Sequence, residues 1–388
     1  MRAPIAVPAP ETFPSRLRSP AVAARVGLWL GISFGICFLT GLVSHYAQEP
    51  SQPIPFPTDP SWGYRVTQGV HVIAGVASIP LLLVKLWSVY PRLYERPPLG
   101  NLRGLAVNAL ERASIGVLVA AAIFQLTTGL LNSTQWYPWA FSFRTTHYAV
   151  AWVAIGALLL HIAVKLPITR DALRGDVEET THDRPTATAS GPLSRRALLR
   201  TTWTASGVAV LATAGSTVPL LRDISIFGVR SGDGPGGIPI NKSAVAAGVT
   251  GLATRSSWRL DVLGGDGSAS LSRDDLLAMT QHTETLPIAC VEGWSASGDW
   301  TGVRVRDLLD LVGAPRGSDV LVESLQPSGP FRETTLQANF AEDDRTLLAL
   351  QLNGEPLALD HGFPCRLVAP NRPGVLQTKW VGRVEVLT

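Results

Sequence analysis

Cysteine is scarce in this chain: only Cys37, Cys290 and Cys365 occur in 388 residues, far apart from one another. That excludes a paired-cysteine zinc site and a disulfide framework. A Cys290–Cys365 disulfide stays compatible with the spacing, and a metal on Cys290 would forbid it. Net charge is nearly as sparse, a formal +3, too small to argue for nucleic acid as a partner. The N-terminus lacks the cleavage-site pattern of a signal peptide, and the apolar run opening at Val26 is too long for one. No internal repeat and no long low-complexity tract is present.

What is present is an uneven distribution of charge over a length sufficient for two or three domains. Residues 1–25, rich in Pro, Ala and Arg, read as a disordered cytoplasmic leader. Five nearly uncharged segments follow: Val26–Tyr46, Gln68–Leu86, Ala113–Leu131, Thr146–Leu166 and Trp203–Leu221. Each is long enough to cross a bilayer, which takes about 20 helical residues. The first four form a membrane domain at 26–166, the fifth a separate span at 203–221. Basic residues fill alternate loops. The leader carries Arg2, Arg16, Arg18 and Arg25, and the second–third connection carries Lys85, Arg92, Arg96, Arg103 and Arg112. The stretch 167–202 adds Arg170, Arg174, Arg184, Arg195, Arg196 and Arg200, whereas loops 47–67 and 132–145 hold only Arg65 and Arg144. This asymmetry predicts a multi-pass cell-membrane protein with its N-terminus inside and everything after the fifth span outside.

The polar stretch Asp176–Pro192 reads as a linker. Behind it, Ser194-Arg195-Arg196-Ala197-Leu198-Leu199 resembles a twin-arginine export signal placed internally, and reads equally well as an ordinary positive flank. From Arg222 onward, short apolar runs alternate with Gly, Pro and Asp. Ser257–Val262, Thr285–Ala289, Val320–Leu325, Leu347–Leu352, Cys365–Ala369 and Val381–Leu387 are predicted strands. Ser272–Met279 and Val305–Val312 are predicted short helices, the first with a capping-box start at Ser272 and Asp275. The pattern predicts an α+β domain at 238–388 behind an all-α transmembrane bundle of five spans.

Histidines sit at the ends of the apolar segments: His45 closes the first, His71 opens the second, and His147 and His161 bracket the fourth. Ionisable residues at membrane depth are functional candidates. His147 and His161 share one helix face about 21 Å apart along the axis. The four segments resemble the cytochrome b561-like membrane subunits of formate dehydrogenase and hydrogenase. That resemblance implies one outer haem b with His71 and His147 as iron ligands, His45 as the substitute, and His161 without an evident partner. The alternative is a haem-free anchor.

The most informative stretch is Leu286-Pro287-Ile288-Ala289-Cys290-Val291-Glu292-Gly293-Trp294-Ser295, followed by Trp300-Thr301-Gly302-Val303. A lone cysteine delivered to a turn by an apolar run suits one thiolate on a soft metal, or a nucleophile; a buried structural cysteine is the bland reading. Cys-Val-Glu-Gly-Trp-Ser resembles the molybdopterin domain of the sulfite oxidase family, nearest its periplasmic methionine sulfoxide reductase branch. The resemblance extends through Pro239-Ile240-Asn241-Lys242, Val303–Leu309, Leu350–Leu357, His361–Val368 and Gly374–Trp380. It implies Mo-molybdopterin as cofactor, Cys290 as the catalytic thiolate ligand of molybdenum, and Asn241, His361, Arg366 and Gly374 as pterin contacts, with Ser324 or Ser328 near a hydroxyl contact. Where most members carry a lysine, this chain has Leu376. Family members that oxidise sulfite carry arginines soon after the cysteine, and none stands in Val291–Ser295. With the chain stopping at Thr388, the C-terminal dimerisation domain of those enzymes is not expected here. A neutral oxo-acceptor such as a sulfoxide, small or protein-bound, is the expected substrate, with a membrane quinone or another redox partner on the electron side. Two rivals are an oxidase running in the opposite direction and a metal-free domain acting as a membrane-anchored binding module.

Overall fold

The computed structural model describes residues 9–215, 217–218, 221, 223–228, 234–265 and 267–387. They divide into two compact units: the chain up to Leu39 with Val70–Ala214, and Thr40–Gly69 with Gly215–Thr388.

Five long helices occupy the first half: α1 (Pro20–Ala47), α2 (Gly63–Val89), α3 (Leu102–Ser133), α4 (Phe143–Arg174) and α5 (Arg195–Thr213). The first four are long and apolar enough to cross a membrane. Leu39, Leu83 and Leu159 are each at least 60% exposed, and helices this apolar on their outward faces need a non-aqueous surround. Starts are set locally. Asn101 accepts from the backbone N–H groups of Arg103 and Gly104, Ser142 from Thr145 and Ser194 from Ala197, each occupying donors that a helix N-terminus leaves unpaired. The Ser194 cap explains why α5 departs from the expected fifth span. The helix begins at the paired arginines and ends at Thr213, so only Trp203–Thr213 of the expected run is described as helical, and 216, 219 and 220 lie outside the described residues. Within its unit α5 packs Trp203 edge-on against Trp29 of α1 at 4.8 Å, and Ser206 donates to the Ala77 carbonyl of α2 at 2.9 Å.

The leader and linker are more ordered than their composition predicts. From residue 9 on, the leader pairs with the linker through a bridge between Ser15 and Ala189. The cause is Arg195, which is 3% exposed. Its guanidinium donates to the carbonyls of Arg16, Val177 and Glu179 and forms an ion pair with Asp183. A charge taken out of water must be paired and hydrogen-bonded, so the segments that supply those oxygens are fixed with it.

The second unit contains two sheets. The first has the order β2 (Gly267–Leu271), β1 (Leu260–Gly264), β10 (Val381–Val386), β5 (Val320–Ser324), β6 (Glu333–Leu336), with β1 and β10 parallel. The second runs β3 (His282–Ala289), β4 (Ser295–Arg304), β7 (Leu347–Leu352), β8 (Glu355–Pro356), with β9 (Arg366–Val368) also on β7. β7 is buried on both faces. Leu348 and Leu350 join the core with Val262, Val322 and Val384 of the first sheet, while Leu347, Ala349 and Leu352 join Leu286, Ile288 and Trp300 on the other side. All six predicted strands and both predicted helices are present, and the capping box at Ser272 and Asp275 forms. Thr40–Gly69 belongs to this unit because it supplies paired backbone. The carbonyls of Pro50, Gln52, Phe56 and Pro57 accept from Thr335, Gln337, Asn339 and Asn371, and Asp59 takes a two-pronged contact from Arg345.

Candidate functional site

Antiparallel β3 and β4 pair from His282/Gly302 to Ala289/Ser295, and the turn between them carries Cys290. The turn is closed by Cys290 N–H to the Trp294 carbonyl at 2.9 Å and by Gly293 N–H to the Cys290 carbonyl at 3.0 Å. Gly293 sits at φ 89°, a conformation that favours glycine. The Cys290 side chain is buried, its Sγ 3.6 Å from Glu292 Oε2, which also accepts from Trp294 Nε1 at 3.0 Å. Burial, reinforced by the Glu292 carboxylate, pushes the thiol well above its ordinary value.

A small cleft opens beside the sulfur, lined by Pro239, Asn241, Ile288, Cys290, Trp294, His361, Arg366, Gly374 and Lys379. Gly374 is there because its backbone meets β3: a Cβ would stand 3.0 Å from the Ala289 carbonyl and from Ile288 Cγ2. Arg366 on β9 and Lys379 face each other across an isolated bridge. The Arg366 guanidinium lies 5.3 Å over the Trp300 ring and donates to the His361 carbonyl at 3.4 Å, while its Nε is buried without a partner. Lys379 Nζ donates to neutral oxygens only: Lys242 O at 2.5 Å, Asp360 O at 3.0 Å and Asn241 Oδ1 at 3.2 Å. Among the described residues neither cation has a carboxylate partner within ion-pair distance. Burial, then Arg366, pull Lys379 down to about 7 and His361 to about 4. An enclosed Arg366 that depresses the protonation of Lys379 and His361 and keeps one N–H unused creates a demand for an anion.

Residues 247–388 match the oxidoreductase molybdopterin binding domain. The C-terminal region is a molybdopterin-binding oxidoreductase domain. It is similar to mitochondrial sulfite oxidase of Rattus norvegicus, 32% identical over 158 residues, covering 34% of this chain and 29% of that protein. It is also similar to NAD(P)H nitrate reductase of Hordeum vulgare, 40% identical over 96 residues, covering 22% of this chain and 11% of that one. An uncharacterized oxidoreductase of Bacillus subtilis (strain 168) is 30% identical over 132 residues, 34% of this chain and 65% of its own. The chain thus spans less than a third of the sulfite oxidase it matches.

The residues fit that cofactor. Arg366, Lys379 and His361 answer a phosphate, and Cys290 offers one soft donor. Among the described residues no group of three or more His, Cys, Asp or Glu side chains is placed to hold a metal. The structure brings Asn241, Cys290, His361, Arg366 and Gly374 of the molybdopterin domain to one cleft. Lys379 and Trp294 line the cleft as well; both stand inside the motif stretches, which by themselves give neither a cofactor-binding role. Ser324 sits behind the cleft, donating to the Lys379 carbonyl at 2.8 Å, and Leu376 is buried in packing. Cys290 and Cys365 are both free thiols.

In the helical unit, His71 of α2 and His147 of α4 face each other with ring centroids 6.2 Å apart. His71 Nδ1 lies 2.9 Å from the Cys37 carbonyl, and His147 Nδ1 lies 2.9 Å from Thr128 Oγ1. Gly129 adjoins the second ring, where a Cβ would be 3.6 Å from His147 Cε1. His161 is on the same helix as His147, about 21 Å further along it. His45, at the end of α1, pairs with Glu49 at 3.5 Å.

Proposed function

We propose that this protein is a membrane-bound molybdopterin-dependent oxidoreductase that removes an oxygen atom from an extracytoplasmic substrate. The observation that carries this reading is the buried Cys290 thiol in one cleft with Arg366 and Lys379, two enclosed cations without an ion-pair partner among the described residues. Cys290 supplies the protein's thiolate to molybdenum; Arg366, Lys379 and His361 take the pterin phosphate; Asn241 and Gly374 line the pterin. When bound, the cofactor supplies two-electron oxygen-atom transfer. The chain's own residues orient it and exclude water, with Trp294 walling the sulfur and Ile288 closing the strand side. Reduction of a sulfoxide consumes two electrons and two protons and yields a sulfide and water. A neutral substrate is favoured because Val291–Ser295 brings a carboxylate, Glu292, and no arginine beside the sulfur, where a dianion would be repelled.

His71 and His147 would hold a haem b, which would supply one-electron transfer on the electron side of the reaction. The two imidazoles stand 6.2 Å apart, each oriented through Nδ1 by an oxygen of a neighbouring helix, which leaves both Nε2 atoms as the donors that would take the iron. A membrane quinone or another redox partner supplies the electrons. The membrane domain has five spans, N-terminus inside and molybdopterin domain outside. Support comes from the arginine-rich alternate loops and from the packing of α5 along α1 and α2.

Metal and haem quantitation on detergent-purified protein, followed by an oxo-acceptor screen, tests the reading. Cys290→Ala is expected to abolish turnover in a folded, exported protein, since a methyl group cannot ligate a metal. Unchanged turnover in that variant would refute it.

A further inference from the structure

The turn that presents Cys290 is held from outside the matched domain. Its two outward carbonyls, those of Val291 and Gly293, accept from side chains far away in sequence. Gln68 Nε2, from the first turns of α2, donates to the Val291 carbonyl at 3.3 Å, and Thr217 Oγ1, after the described end of α5, donates to the Gly293 carbonyl. Both donors are enclosed: Gln68 is 6% exposed and Thr217 5%. Gln68 is itself fixed, its Oε1 accepting from Ser44 Oγ of α1 at 3.0 Å. Gly69 makes the approach possible, because a Cβ there would stand 2.8 Å from Thr217 Cγ2. Gln68, Gly69 and Thr217 thus meet at the four-residue turn, and their hydrogen bonds add to the two that close it.

We propose that Gln68 and Thr217 are positioning residues for Cys290, fixing the turn so that its thiolate points into the cleft. This rests on the reading of Cys290 as the metal ligand. The logic is that of any ligand side chain: a donor atom held by one flexible turn needs outer partners to lock its direction. Here the partners come from α2 and from the segment after α5, so the ligand's aim depends on residues that the catalytic domain does not itself carry.

The test uses Cys290 and Cys365 as reporters in the full-length, detergent-purified protein, produced in a host unable to make the cofactor. Maleimide labelling followed by mass spectrometry gives separate rates for Cys290 and Cys365, both buried. In Thr217→Val, Gln68→Met and Gly69→Ala, labelling at Cys290 is expected to accelerate about tenfold or more, with Cys365 unchanged, and Thr217→Ser is expected to match the wild type. In cofactor-loaded protein the same variants are expected to retain molybdenum while kcat falls about tenfold at constant KM, the range seen for outer-shell partners. Unaltered Cys290 labelling, parallel acceleration at Cys365, or a Thr217→Ser variant as reactive as Thr217→Val would overturn the proposal. A molybdenum-free wild type from a competent host would instead refute the ligand reading, and the labelling result would still stand or fall by itself.

Discussion

Lys379 brings a charge into a place where water cannot follow. Its folded value near 7, against an ordinary 10.5, means that between those limits the unfolded chain holds a proton that the folded chain has released. Stability of the cofactor-free protein therefore rises with pH across that window, by at most about 1.4 kcal/mol per unit from this one group, and levels off below it. Thermal unfolding of cofactor-free protein at pH 7 and pH 9 is expected to show the higher Tm at pH 9. Lys379→Met is expected to flatten the difference. A slope that survives in the variant would assign it elsewhere. A bound phosphate would oppose this slope, because the anion favours the protonated lysine. The same residue marks a limit of the sequence. Asn241, Cys290, His361, Arg366 and Gly374 were legible from motif stretches, yet Lys379 entered the cleft only because β9 and the strand-like stretch before β10 bring it opposite Arg366.

At the scale of elements, α2 and α4 matter through one pair of rings. If His71 and His147 hold a haem, reduced-minus-oxidised spectra are expected to lose the b-type signal in His71→Ala and in His147→Ala and to keep it in His161→Ala. Loss confined to His161→Ala would put the haem at the other end of α4, and a wild type without signal would leave the helices as an anchor. The helices were legible because long apolar runs admit few other structures. Their ends were less so. Ser194 starts α5 eight residues before the apolar run, a capping effect that hydropathy does not record. Strand β4 escaped notice for a different reason: Ser-Ala-Ser-Gly-Asp leaves no apolar run, and pairing with β3 and β7 makes the strand. The order in leader and linker depends on Arg195 reaching the Arg16 carbonyl 179 residues away, and no local composition signals a contact at that range.

For the whole molecule, the parity of the spans decides everything downstream. A reporter fused after Thr388 is expected to register outside the cytoplasm and one inserted within 176–190 inside. With four spans both would register inside, and an oxo-acceptor delivered from the exterior would not meet Cys290.

Thr40–Gly69 has a consequence in time. A ribosome finishes this loop and the helix ends that flank it before the first residue of β1 exists. The carbonyls of Pro50, Gln52, Phe56 and Pro57 must then wait for Thr335, Gln337, Asn339 and Asn371 to be made. The loop is thus made first and the partners that pair its carbonyls last. Inheritance is constrained in the same way: a gene fusion cut at residue 238 would carry away the four donors and leave their acceptors behind, so recombination that swaps this domain has to take the loop with it.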